Sequence, residues 1–305
     1  MEEAVRTAGL VKVYEGKETI EALKSVDLSI NRGELFTLLG PNGAGKTTFL
    51  RIISTQLMPT KGEVRVLGHD VVTEADEVRK HIAVVPQDVM AYANFTPWEY
   101  SYYFSRLRGM SKHETEAASA KALKAVGLWD LRDRVCGSLS GGEKKRAIIA
   151  LALASNADVL MLDEPTSGLD AVARRDVWAV LRELVEQGKT ILLTTHIMEE
   201  AEILSDRLVI INKGQIVANG TLEEIKSLTK DKFRVIMENN SHEPNQLQNT
   251  NHSIRLGNKQ IVYVKNESEA LELVGAALKK GVKAEAAMVT LEDVFVKLVG
   301  RSEEN

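Results

Sequence analysis

Two stretches of this chain have the residue types and spacing to hold phosphate, and a third ends in paired acids. Gly40-Pro41-Asn42-Gly43-Ala44-Gly45-Lys46-Thr47-Thr48 fills the pattern G-x-x-x-x-G-K-[ST]. Its glycines can take φ > 0 and turn successive backbone N–H groups into one concavity for oxyanions. Lys46 adds a point charge that reaches β and γ phosphates, the Thr47 hydroxyl can ligate Mg²⁺, and a helix starting near Lys46 adds its positive dipole end. The second stretch is Leu139-Ser140-Gly141-Gly142-Glu143. Ser140 and Glu143 have capping-box spacing, and as a mere helix cap they account for their own residue types. Gly141 and Gly142 tip the balance, because each costs about 1 kcal/mol in helix propensity and leaves N–H groups accessible to an anion.

The paired acids, Asp163-Glu164, close the apolar run Val159-Leu160-Met161-Leu162. Such a run describes a buried parallel strand whose end points acids into a site. Asp163 is then the Mg²⁺ holder, acting through water, and Glu164 the general base for an attacking water. Neighbouring side chains of a strand point to opposite faces, so both can serve one site only if the chain turns directly after Asp163. Pro165 stands where that turn is needed.

The elements that must position these groups are also legible. Leu35-Phe36-Thr37-Leu38-Leu39 supplies a strand ahead of the phosphate loop, as that motif requires. Gln87 follows Val84-Val85-Pro86, and His196 follows the strand-like Leu192-Leu193-Thr194-Thr195. Taken alone, each reads as an ordinary surface glutamine or structural histidine. Between Gln87 and Ser140 the pattern is helical: Thr96-Pro97-Trp98-Glu99 is a helix start leading into Tyr100 to Leu107, and a second helix, Lys112 to Val126, ends at Gly127. Arg207 to Ile211 and Gln215 to Ala218, joined by Asn212-Lys213-Gly214, form a hairpin, and Thr221-x-x-Glu224 caps a short helix.

In these motifs the chain resembles the ATP-binding cassette (ABC) ATPases, over roughly residues 5 to 225 and in unbroken order. Gly40 to Thr48 match the family's Walker A loop, Gln87 its Q-loop, Leu139 to Glu143 its signature, Leu160 to Glu164 its Walker B strand, Ser167-Gly168-Leu169-Asp170 its D-loop and His196 its H-loop. Tyr14, after Val11-Lys12-Val13, falls where the family has its adenine-stacking aromatic. One departure shows: Glu143 stands where the commonest family residue is Gln. The resemblance implies a P-loop α/β cassette: a parallel-sheet core, an antiparallel β subdomain, and an α-helical subdomain at about residues 88–150. It implies ATP and Mg²⁺ as ligands, with Thr47, Gln87 and Asp163 at the metal and Lys46, Gln87, Glu164 and His196 at the reacting phosphate. It implies a homodimer in which Ser140 and Gly142 of one chain meet the ATP held by the other, with Gly141 and Asp170 also among the nucleotide-binding residues. It also implies a membrane permease gripped beside Gln87, for which Asn94-Phe95-Thr96-Pro97-Trp98 is the candidate docking edge. Packing within the helices explains Phe95 and Trp98 equally well.

The ATPase domain is expected to span residues 1–228, and 229–305 to form a small α/β accessory domain. Its elements are strands at Phe233 to Met237, Ser253 to Arg255, Gln260 to Val264 and Lys283 to Val289, a helix from Glu267 to Lys279, and a last helix opened by Thr290-x-x-Asp293. Asn239 to Ser253, including His242 and His252, is polar enough to be a linker. Thr290 to Phe295 resembles the closing segment of drug-exporter ATPases that pair with ABC-2 permeases, which implies export.

Composition agrees. With 305 residues, 44 % of them hydrophobic and 27 % charged, the chain can bury two cores. A net charge of −4 gives no basic footprint for nucleic acid, and Lys144-Lys145-Arg146 reads as a solvated helix face. The single cysteine, Cys136, excludes an internal disulfide and fits a reducing cytosol. No apolar run approaches a membrane span, and Met1-Glu2-Glu3-Ala4 does not start like a signal peptide. Together with the permease that the resemblance implies, this makes the cytoplasmic face of a membrane the expected place. A non-transport ABC ATPase of translation or DNA maintenance is the alternative, and a small-molecule kinase would share only the phosphate loop.

Overall fold

Runs of apolar residues without alternation force a sheet covered on both faces, and that sheet organises the first part of the molecule. The computed structural model describes residues 2–87, 92–238 and 253–300. It divides into two compact units, one ending at Asn219 and the other beginning at Gly220. The first unit runs β1 (Glu3–Tyr14), β2 (Ile20–Asn31), β3 (Leu35–Leu39), α1 (Lys46–Ile53), β4 (Lys61–Val66), β5 (His69–Asp70), α2 (Ala75–His81), β6 (Ile82–Val85), α3 (Pro97–Leu107), α4 (Lys112–Ala125), α5 (Gly141–Ala154), β7 (Val159–Asp163), α6 (Ala171–Glu186), β8 (Thr190–Thr195), α7 (Met198–Leu204), β9 (Arg207–Asn212) and β10 (Gln215–Gly220).

A six-stranded sheet has the order β10-β9-β3-β8-β7-β6, and its pairs from β9 through β6 are parallel. Strands β3, β7 and β8 are buried at every position. Their side chains alternate between two cores. Phe36, Leu38, Val159, Met161 and Leu192 pack with α1 and with the antiparallel sheet β2-β1-β4-β5. Leu35, Leu160, Leu162, Ile191 and Leu193 face the other way, onto α4, α5 and α6. The β9–β10 turn has Lys213 and Gly214 both at positive φ, 49° and 79°, the geometry of a type I′ hairpin.

Capping boxes close the starts of α3, α4 and α5: Thr96 with Glu99, Ser111 with Glu114, and Ser140 with Glu143. At the other end of α3, Arg108 donates to the carbonyls of Lys80, Ile82 and Ser155, which ties the helical region to the β6 edge of the sheet. No helix among the described residues is long and apolar enough to cross a membrane.

The second unit consists of α8 (Leu222–Ser227), β11 (Phe233–Glu238), β12 (Ser253–Leu256), β13 (Lys259–Val264), α9 (Glu267–Lys279), β14 (Lys283–Met288) and α10 (Leu291–Gly300). Its antiparallel sheet, β12-β13-β11-β14, packs Val235, Met237, Val262 and Val264 against Ala270 and Ala277 of α9. Asp293 accepts from the Thr290 backbone and hydroxyl, from Tyr263 Oη and from Arg234. The Thr290-x-x-Asp293 start thus grows into a buried polar cluster. The linker read at Asn239 to Ser253, with His242 and His252, lies outside the described residues except for Ser253.

Candidate nucleotide site

Backbone sterics build the loop between β3 and α1. A Cβ added at Gly40 would stand 2.3 Å from the Ile211 carbonyl oxygen, and one at Gly45 would stand 2.6 Å from the Ala22 carbonyl oxygen. Gly45 also takes φ +109° and is the N-cap of α1, with no side chain capping the helix. The first-turn N–H groups of α1 are therefore left for an anion in front of them. A cavity of about 260 Å³ opens there, walled by Ala22, Asn42 to Thr48, Gln87 and Glu164. Tyr14, 38 % exposed at the end of β1, brings its hydroxyl within 3.3 Å of Thr48 Oγ1.

Lys46 is 5 % exposed and donates to the carbonyls of Gly40 (2.8 Å) and Pro41 (3.1 Å). Its Nζ is also 3.4 Å from Glu164 Oε1. Glu164 is the point of convergence: its Oε2 accepts from Gln87 Nε2 at 3.1 Å and lies 3.1 Å from His196 Nδ1. Asp163 is 2 % exposed and accepts from the Thr194 hydroxyl. The turn that two neighbouring acids require is present, and Glu164 itself makes it. Its φ is +49°, a left-handed conformation that costs a non-glycine residue about 1–3 kcal/mol and persists only where surrounding bonds over-determine it. The Glu164 N–H donates to both the carbonyl and the hydroxyl of Thr194.

The residues read for phosphate and metal chemistry thus wall this cavity, or adjoin or bond to a residue that does, except for four at the starts of α5 and α6. Ser140 and Gly141 are exposed at the start of α5, and Gly142 is half-buried with Leu169 Cδ2 3.5 Å from where its Cβ would be. Asp170 caps α6, accepting from the N–H groups of Val172 and Ala173. The Ala173 amide comes first among the causes that hold its carboxyl below the ordinary range. Within one chain, then, the signature and D-loop are neighbours of each other.

Three residues escaped the sequence reading. Thr194 orients both acids. Glu200, fully buried on α7, accepts at Oε1 from Thr166 Oγ1 (2.6 Å) and Trp178 Nε1 (2.9 Å), while its Oε2 is buried without a hydrogen-bond partner among the described residues. Lys145 corrects the solvated-face reading of Lys144-Lys145-Arg146. All three residues are half-buried; Lys145 donates to the carbonyls of Glu164 and Ser167, both at 2.8 Å, and Arg146 to that of Val126 at 3.1 Å. The one signal in sequence was spacing: Lys145 follows Gly141 by one helical turn and so shares its face.

Among the described residues no group of three His, Cys, Asp or Glu side chains could hold a metal ion by itself. Thr47, Gln87 and Asp163 offer oxygen ligands and one carboxylate, a set that fits Mg²⁺ completed by phosphate oxygens and water.

The ABC transporter family model matches residues 23–167. The chain is 38 % identical over 298 residues to the Nod factor export ATP-binding protein I of Burkholderia thailandensis, covering 95 % of each. The chain belongs to the ABC transporter family. It is also 42 % identical over 224 residues to the daunorubicin/doxorubicin resistance ATP-binding protein DrrA of Streptomyces peucetius, 73 % of this chain and 67 % of that protein. The solved dimer of the ATP-binding cassette MJ0796 bound to ADP and Pi superposes with a TM-score of 0.66 at 30 % identity, over 72 % of this chain and 98 % of that one. The P-loop cassette fold read from the motifs is therefore present. This is an ATP-binding and ATP-hydrolysing subunit of an ABC transporter, and the transporter reading stands over the non-transport alternative. ABC cassettes work as dimers with a membrane permease.

Proposed function

We propose that two copies of this chain close on two Mg·ATP and drive an ABC-2-type permease that exports its cargo. The phosphates lie in the Gly40–Thr48 loop, with Lys46 on the β and γ phosphates and adenine against Tyr14. Thr47, Asp163 and Gln87 hold Mg²⁺, which supplies charge neutralisation for the phosphate oxygens. Glu164 takes a proton from the attacking water, and His196, 3.1 Å from that carboxylate, contacts the γ-phosphate. Ser140, Gly141 and Gly142 face the γ-phosphate of ATP held by the other copy, with Asp170 alongside. The chain then works at the cytoplasmic face of a membrane, with residues 1–228 as the ATPase and 229–305 as an accessory domain.

The observation that carries this reading is the convergence on Glu164 of Lys46, Gln87 and His196 beside an uncapped helix start. The exposed α5 start adds to it, since two glycines there leave backbone N–H groups accessible to an anion. The export arm leans on the relatives' printed roles in Nod factor export and drug resistance. The test is Glu164→Gln in gel filtration with saturating ATP. A nucleotide-dependent dimer is expected; a strictly monomeric, ATP-saturated variant would overturn the proposal.

A further inference from the structure

Glu164 sits in a conformation that its own backbone resists, so something must hold it on both sides. The N–H side is held by Thr194 of β8. The carbonyl side is held by Lys145, whose ammonium donates at 2.8 Å to Glu164 O and at 2.8 Å to Ser167 O, thereby spanning the whole turn between the Walker B strand and the D-loop. Charge-assisted bonds of this kind are about twice as strong as neutral ones, and without Lys145 the Glu164 carbonyl would keep only the 3.3 Å bond from the Ser167 N–H. Lys145 rides on α5, four residues after Gly141 and five after Ser140.

We infer that Lys145 is a positioning residue for ATP hydrolysis: it fixes the left-handed turn that aims the Glu164 carboxylate, and it makes that aim depend on the placement of the helix that begins at Ser140. The inference rests on the composite-site reading above. In that reading, the start of α5 is held by nucleotide in the second site, while Glu164 works in the first. A shift of α5 as one site fills then moves the carbonyl of Glu164 in the other, through one rigid helical turn and one ammonium. Lys145 is not among the residues that wall the phosphate cavity, so ATP binding should not need it.

The experiment compares Lys145→Met with Lys145→Arg in the full chain, measuring ATP affinity, steady-state hydrolysis and, in the Glu164→Gln background, ATP-dependent dimer. For Lys145→Met we expect kcat to fall at least about ten-fold, ATP affinity to stay within about two-fold and dimer to form. Lys145→Arg, which keeps a cationic donor, should recover kcat to within about three-fold of the parent. If Lys145→Met does not fold, Lys145→Gln takes its place in the same comparison. A kcat within two-fold of the parent overturns the inference. So does a parallel loss of affinity or dimer, because the residue would then serve binding or folding. If the Glu164→Gln parent itself fails to dimerise, it is the composite-site reading that falls, whatever Lys145 does.

Discussion

The Lys46 ammonium lies 3.4 Å from the Glu164 carboxylate, with both side chains only 5 % exposed. A buried ion pair at the mouth of a phosphate cradle separates binding from chemistry. Lys46→Ala removes the charge that meets the phosphates, and a hydrogen bond to a charged group contributes about 1.5–3 kcal/mol, so ATP affinity should fall about 10- to 100-fold. Glu164→Gln keeps the shape and should leave affinity within a few-fold while lowering kcat by about 10²–10⁴. Isothermal titration and phosphate release measured on the two variants would reveal whether the losses divide this way.

Glycines at the two helix starts should respond oppositely to the same change. Gly45→Ala drives a Cβ to 2.6 Å from the Ala22 carbonyl oxygen at φ +109°, so it should cost at least about 2 kcal/mol of stability and abolish ATP binding. At Gly141 an added Cβ meets nothing within 4 Å. Gly141→Ala should melt at or above the parent temperature, gaining up to about 1 kcal/mol of helix propensity, yet lose ATP-dependent dimer. Full dimer formation by a stable Gly141→Ala protein would show that this face meets nothing.

These two glycines also show what sequence could and could not carry. The loop, the helix start at Ser140 and the turn at the paired acids were legible as local structure because each is written in a few adjacent residues of unusual type. Long-range partners were not. Lys145 looks like any solvent-facing lysine until its acceptors, 19 and 22 residues away, are folded beneath it. Glu200 reads as a helix-surface acid, and only tertiary packing places it over Thr166 and Trp178. The need for a turn after Asp163 was legible from strand geometry, with Pro165 as its cue. That Glu164 itself takes the strained φ was not, because the bonds that over-determine it come from β8 and α5.

Phe95 and Trp98, paired in the sequence as one docking edge, part company in the structure. Phe95 is 40 % exposed in a groove of about 810 Å³ with Tyr92, Tyr103 and Leu107. Trp98 is half-buried against the core, edge-on to Trp129 at 6.4 Å. Trp98→Ala should cost about 2–4 kcal/mol in thermal or urea unfolding. Phe95→Ala should unfold like the parent and keep ATPase, while recovering less membrane subunit on co-purification. Equal destabilisation by both would place Phe95 in the fold instead.

Acid should loosen the start of α5. The Ser140 backbone N–H, followed by the Ser140 hydroxyl, holds the Glu143 carboxyl below the ordinary glutamate range of about 4.3. A carboxyl depressed in the folded state adds stability above its unfolded pKa and loses it as pH falls through the folded value. Hydrogen exchange of the first-turn amides of α5 should therefore show constant protection from pH 7 to about 5 once the intrinsic rate is corrected, and decline below about 4. Glu143→Gln should remove that decline. A decline that survives the substitution would point to another acid.

Cys136 is completely buried, and burial, the foremost cause, raises its thiol above the usual value. A buried, protonated sulfur is a poor nucleophile, and it is the chain's sole cysteine. Maleimide dyes and bifunctional cross-linkers should therefore pass over the native protein, so a single reporter thiol engineered at Ser140 or Tyr14 can be labelled on an otherwise unaltered background to follow how the copies approach one another.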